Sequence, residues 1–139
     1  MALRAGLIGF GLAGRYFHAP LLVAAGIELK VVSTSRDREV LSIYPDAAVV
    51  ANADDLIARK DIDLVVIASP NPSHVPHARA ALLAGKHVAV DKPLSITSAE
   101  ARALAELAQK QQRKLAVFQN RRWDSDFLTI RALLERGQL

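Results

Sequence analysis

Six short apolar runs alternate with longer amphipathic stretches along this chain of 139 residues, and that alternation narrows its fold more than any other feature. Leu3 to Ile8, Ile27 to Val32, Ala47 to Val50, Asp63 to Ala68, His87 to Val90 and Leu115 to Phe118 each have strand length. Asp63 to Ala68 is nearly all apolar and β-branched, as expected of a strand covered on both faces. Helix-like segments lie between. His74 to Leu83 follows Asn71-Pro72-Ser73, with Ser73 the expected N-cap, and it stops at Gly85, a natural residue just past a helix end. Ser98 to Gln112 carries Leu104, Leu107 and Ala108 at helical spacing, capped by Thr97 or Ser98. Pro20 and Pro45 punctuate the earlier helices. Strand and helix alternating through short connections predict an α/β fold, a doubly wound parallel sheet of about six strands with helices on both faces.

Composition removes several classes of function. There is no cysteine, so disulfides and thiolate metal sites are excluded, and no group of histidines and carboxylates has metal-ligand spacing on a helix. No metal is expected. No apolar run approaches the roughly 20 residues that cross a bilayer. The opening Met1-Ala2-Leu3-Arg4 to Gly9 is too short and glycine-broken for a leader, so no membrane association and a cytoplasmic location are expected. The formal charge of +4 reads as a solvated surface with a modest basic excess. Its densest stretch, Lys110, Arg113, Lys114, Arg121 and Arg122, has only Trp123 close by. A nucleic-acid surface needs charge gathered on one face beside stacking aromatics, so no nucleic-acid partner is expected.

The chemistry begins at the first strand-to-helix turn. Gly9-Phe10-Gly11-Leu12-Ala13-Gly14 matches GxGxxG directly after a predicted strand, where the pattern marks the dinucleotide-binding turn of a Rossmann fold. The first glycine permits the tight turn and the second a close approach of backbone to pyrophosphate. The third lets the helix lie against the strand, with its free N–H groups facing the phosphates. A ribose-binding carboxylate belongs about 20 residues further on. This chain has Ser33-Thr34-Ser35-Arg36 there, and no acid until Asp37. Ser33, Ser35 and Arg36 suit a 2′-phosphate through hydroxyl donors and a guanidinium fork, which favours NADP, with NAD as the alternative.

Downstream, Ala68-Ser69-Pro70-Asn71-Pro72-Ser73-His74, then Ala84-Gly85-Lys86-His87-Val88 and Asp91-Lys92-Pro93, follow in a fixed order. Together with the glycine turn and Asn120-Arg121-Arg122-Trp123, they resemble the glucose–fructose oxidoreductase, inositol dehydrogenase and rhizopine-catabolism (Gfo/Idh/MocA) family over the whole chain. The resemblance implies a nicotinamide-dependent oxidoreductase acting on a small hydroxyl or carbonyl compound such as a sugar or polyol. It implies that Ser69, Pro70 and Asn71 line the cofactor, that His74 belongs to the same element, and that Lys92 is catalytic and reaches the reacting carbon–oxygen bond. Asp91 stands where the family carries glutamate, one methylene shorter. Arg121 and Trp123 are candidates for the cofactor–substrate edge or for capping the final helix, and Pro93 is a candidate for a cis bond. His18 has two readings, facing the cofactor or packing its helix; His77 and His87 read as structural.

The resemblance also divides the chain. Residues 1–120 are expected to form the Rossmann NAD(P)-binding domain, and 121–139 a connecting segment and helix leading to a C-terminal α/β substrate domain that the chain does not supply. Such a piece is expected to bind cofactor weakly and turn over little. Asp124 to Leu139 reads as an amphipathic helix with Phe127, Ile130, Leu133 and Leu134 on one side. That unpartnered apolar face leads us to expect a homo-oligomer. Three other readings are weaker. A non-catalytic NAD(P)-binding or sensing module has no need of Asp91-Lys92-Pro93. An S-adenosylmethionine methyltransferase calls for an acid where Ser33 to Arg36 stand, and a nucleic-acid-binding domain leaves the linked motifs unexplained.

Overall fold

A computed structural model describes residues 3–139; Met1 and Ala2, at the head of the segment read as too short for a leader, lie outside it. Six strands form one parallel sheet: β1 (Arg4–Ile8), β2 (Glu28–Ser33), β3 (Ala48–Val50), β4 (Leu64–Ile67), β5 (His87–Asp91) and β6 (Leu115–Phe118). Their spatial order is β3-β2-β1-β4-β5-β6. The chain winds outward from β1 in one direction, then returns to β4 and winds in the other. The reversal between β1 and β4 opens a crevice at the carboxyl ends of those strands, where open α/β sheets bind their ligands.

The period-two pattern of the strands explains the two cores. In β4, Val65 and Ile67 join a cluster with Leu56, Ile57, Ala78, Ala81, Leu82, Leu104 and Ala108. Leu64 and Val66 pack instead with the cluster of Leu7, Phe10, Ala19, Leu22, Val32 and Val40. One face is therefore covered by α3 (Ala53–Ile57), α4 (His74–Leu83) and α5 (Ser98–Lys110), the other by α1 (Ala19–Ala24) and α2 (Asp37–Ile43). α4 buries His74, Ala78, Ala81 and Leu82, which follow helical spacing. Thr97, the first of the two expected caps, starts α5. It accepts from the Glu100 N–H at 3.2 Å while Glu100 accepts from the Thr97 N–H at 3.0 Å.

One local expectation needs correction. Ser73 occupies the position before α4 but does not cap it. A 3-10 turn, Asn71–Ser73, precedes the helix, and the Ser73 hydroxyl donates to the Pro70 carbonyl at 2.7 Å. The helix after the glycine turn passes through a π-helical turn, Gly14–His18, before α1. Pro20 has no N–H to give to a carbonyl one helical turn back, so a wide turn ahead of it loses little hydrogen bonding.

The final helix, α6 (Ser125–Glu135), buries none of its residues, and Phe127, Ile130 and Leu134 are exposed. Over β4, β5 and β6, on the side that carries α1, an open apolar groove runs past Leu22, Leu64, Val66, Ala89, Ala116 and Phe118.

At the amino edge of the sheet, Asp63 accepts from the Arg4 backbone N–H at 3.1 Å and from its guanidinium at 3.0 and 2.8 Å. This side-chain pairing holds the Asp63 carboxyl down at about 2, against the usual carboxylate range. A depressed carboxylate adds stability above its unfolded pKa and loses it as the pH falls through its folded one. Asp63→Asn is expected to melt a few degrees below the parent at pH 6. The gap should close as the pH falls from about 4 towards about 2. Circular-dichroism melts across that range check it, and a gap that persists at the acid end would disprove the linkage.

Candidate functional site

Three loops meet at the reversal of the sheet. The Gly9 N–H donates to the Ser33 carbonyl at 2.9 Å, fastening the end of β1 to the end of β2. The Ala68 N–H donates to the Ile8 carbonyl at 2.8 Å, fastening β4 to β1. Gly9 has φ +94°, and a Cβ there would lie 2.6 Å from the Ala68 carbonyl oxygen, so glycine is demanded both by conformation and by space. A Cβ on Gly14 would overlap the Gly9 carbonyl oxygen and stand 3.0 Å from its carbon. The third glycine thus lets the helical turn close over the first. Gly11 differs from both, because among the described residues nothing beyond its own chain neighbours lies within 4 Å of where its Cβ would be. Its bare backbone faces open space, a cradle that internal packing does not explain.

The other residues of the turn divide. Leu12 is largely exposed and Ala13 half-buried, whereas Phe10 is buried and meets Tyr44 edge-on with ring centroids 6.3 Å apart. The Phe10 side chain belongs to the core, so only its backbone can serve the cradle. Ser33 is the last residue of β2 rather than a loop residue, and it too is buried. Ser35 and Arg36 lie in the exposed connection to α2, where the Arg36 N–H donates to the Thr34 hydroxyl at 3.2 Å.

After β4, Pro70 and Asn71 are exposed beside the crevice. The Ser69 and Ser73 hydroxyl oxygens are 2.7 Å apart. Since Ser73 donates to Pro70, it accepts from Ser69. His77 Nδ1 stands 3.4 Å from the Ser69 oxygen, so the loop is backed by a short polar chain. The spacing Ser69, Ser73, His77 carried this signal, but Ser73 had a more ordinary reading as a helix cap. His74 is buried, with Nδ1 2.7 Å from the Pro93 carbonyl and Nε2 2.8 Å from the Ser69 carbonyl. Its ring joins the loop after β4 to the loop after β5 and is too enclosed to line a ligand.

Asp91 ends β5, and its Oδ1 accepts from the Lys92 N–H at 2.8 Å. The Lys92 side chain is exposed, and the Lys92–Pro93 bond is cis. The other Asp91 oxygen lies 3.9 Å from Nε2 of His18. His18 is buried against Phe118, ring centroids 4.5 Å apart, and that nitrogen has no hydrogen-bond partner among the described residues. Burial pushes the imidazole below its ordinary pKa, while the Asp91 carboxylate opposes the shift. His87, read as structural, accepts the Lys114 N–H on Nδ1 at 3.0 Å.

Arg121 and Trp123 lie in a 3-10 turn after β6, both largely exposed. Arg121 pairs locally with Asp124 at 2.7 Å. The structure therefore assembles the glycine turn with the ends of β2 and β4 and links the Lys92 loop through His74, but it leaves Arg121 engaged with its own turn.

Residues 3–119 match the family described as an oxidoreductase family with an NAD-binding Rossmann fold. The uncharacterized oxidoreductase YdgJ of Escherichia coli (strain K12) is 50% identical over 138 residues, 99% of this chain and 40% of that protein. The scyllo-inositol 2-dehydrogenase (NADP(+)) IolW of Bacillus subtilis (strain 168) is 39% identical, over 99% of this chain and 38% of its own. A crystal structure of a candidate oxidoreductase from Klebsiella pneumoniae superposes with a TM-score of 0.93 at 48% identity, covering 98% of this chain and 40% of that one. The chain thus spans about two fifths of the length of these relatives.

Proposed function

Because the chain belongs to the Gfo/Idh/MocA oxidoreductase family through its NAD-binding Rossmann domain, we propose that it binds NADP in preference to NAD and serves hydride transfer to or from a sugar, polyol or related hydroxyl compound. The open backbone at Gly11, set between two glycines that the protein's own packing requires, carries the reading. A dinucleotide fits such a cradle: the pyrophosphate takes the space over Gly11, and the ribose lies towards Ser35 and Arg36. Bound there, a nicotinamide cofactor supplies the hydride acceptor or donor. Pro70 and Asn71 border it, and Asp91 holds the backbone of the Lys92 loop. The Lys92 side chain is free to hydrogen-bond the substrate oxygen and stabilise the charge that develops there.

In this reading residues 1–120 are the cofactor-binding unit and 121–139 lead towards a substrate domain, with Arg121 and Trp123 at the junction. The relative IolW is named as an NADP(+)-dependent scyllo-inositol dehydrogenase, which supports both the polyol class and the 2′-phosphate. The exposed Phe127, Ile130 and Leu134 support self-association.

Fluorescence titration of the chain with NADPH and NADH tests the reading. NADPH is expected to bind at least several-fold tighter, and Arg36→Ala to weaken it about tenfold while leaving NADH unchanged. Tighter binding of NADH would discard the 2′-phosphate assignment, and binding of neither would discard the cradle.

A further inference from the structure

We propose that Arg15 is the second arm of the 2′-phosphate seat, and that Glu39 is the carboxylate that holds Arg15 and Arg36 in place and restrains how tightly the seat takes its phosphate. This rests on the NADP reading and extends it to two residues outside the glycine motif and the loop after β2. Arg15 directly follows Gly14 in the π-helical turn. Its Nη1 donates to Glu39 Oε2 at 2.7 Å, and its guanidinium lies 5.2 Å over the Tyr16 ring. Arg36 approaches the other oxygen of the same carboxylate, with Nη1 3.8 Å from Glu39 Oε1. Two guanidinium groups therefore share one carboxylate, and one positive charge is left over.

The position of this group matters as much as its charge. The bond from the Gly9 N–H to the Ser33 carbonyl ties the turn that carries Arg15 to the strand that leads to Arg36. The two arginines thus flank the end of β2, where a Rossmann fold receives the adenosine ribose. Neither is used up by Glu39. A guanidinium has five N–H donors; Arg15 gives one to Glu39, and Arg36 stands beyond hydrogen-bond distance. All three side chains are at least one-third exposed, so the pairing contributes little to folding and is open to exchange. A phosphate dianion attracts both arginines more strongly than a single carboxylate does. The Tyr16 ring beneath the Arg15 guanidinium restricts it beforehand, which lowers the ordering cost of binding. Glu39 plays two parts: it orients the arginines in the free protein, and it repels the phosphate that arrives between them.

Titrating the full chain with NADPH and NADH at one ionic strength, alongside thermal melts, tests the proposal on three variants. Arg15→Met keeps an unbranched side chain at this position and removes the guanidinium. It is expected to weaken NADPH about tenfold, to leave NADH within about twofold, and not to move the melting temperature. Arg15→Lys should recover part of the loss, since it restores the charge without the fork. Glu39→Gln should tighten NADPH a few-fold with little effect on NADH. Unchanged NADPH affinity in Arg15→Met, with the loss seen in Arg36→Ala, would remove Arg15 from the seat and leave the NADP reading standing. Equal losses for both cofactors would make Arg15 part of the turn's architecture and overturn the proposal. Weaker NADPH binding in Glu39→Gln would overturn the restraining role of Glu39. If wild type prefers NADH, or if neither arginine variant affects NADPH, the NADP reading falls, and the seat with it.

Discussion

Gly14→Ala is expected to destabilise the chain by at least about 3 kcal/mol and to abolish cofactor binding, whereas Gly11→Ala leaves stability within about 0.5 kcal/mol and removes binding alone. The difference lies in what each missing side chain makes room for. At Gly14 a methyl group meets the Gly9 backbone, which cannot swing aside as a flexible side chain would. Gly9 is itself held at φ +94° and stands against the Ala68 carbonyl. The strain therefore passes into β1 and β4, the two central strands of the sheet. At Gly11 the methyl meets nothing among the described residues beyond its chain neighbours, and the backbone lies outside the left-handed region, so the free protein has no reason to object. It then occupies the space assigned to the pyrophosphate, and a loss of at least about 100-fold in affinity follows when the backbone can no longer approach. Chemical denaturation and cofactor titration of both variants check this. Undiminished binding in Gly11→Ala would mean that the cofactor does not lie over this turn.

His74→Phe is expected to cost about 3 kcal/mol, lowering the melting temperature by roughly 10 °C, and to weaken cofactor binding at temperatures where the variant remains folded. Phenylalanine fills the buried volume, so the effect is not that of a cavity. What disappears is the polar bridge from Nδ1 to the Pro93 carbonyl and from Nε2 to the Ser69 carbonyl. The ring N–H that faces these carbonyls is gone, and a carbonyl oxygen left without its donor pays its desolvation. The loops that carry Asn71 and Lys92 lose their common brace, although neither residue is changed. Melting curves with and without cofactor separate the two effects. A variant that melts lower but binds NADPH as tightly as wild type would show that His74 serves the fold and not the placement of the loops.

Much of this was legible along the chain. The six strands lie where apolar runs were read, within a residue or so at their ends, because strand burial leaves a period-two or continuous apolar signature over a handful of neighbours. α5 begins at the expected capping residues, since a cap is a contact over three positions. The parallel, doubly wound arrangement follows from alternating elements joined by short connections, whereas the order β3-β2-β1-β4-β5-β6 is read from the structure. The family was legible as well, because its motifs fall in order from Gly9 to Trp123.

What escaped the sequence depends on approach through space. Phe10 sits inside the glycine motif, yet its ring turns into the core against Tyr44, 34 positions away. Ser73 has the identity and place of a cap, but a 3-10 turn brings the Pro70 carbonyl closer than the helix N–H groups. His18, in the helical turn after the glycines, is enclosed by Phe118 of β6 and faces Asp91 of β5. Arg15 and Glu39 meet across 24 positions with no local pattern to announce them. The sequence by itself determined the elements, their parallel arrangement and the glycine turn, because those answer to backbone conformation and to burial within a few residues. Only the tertiary structure decided which side chains reach the crevice and which are spent in the core. That choice depends on which groups, far apart in the chain, end within a hydrogen bond of one another once the sheet has closed.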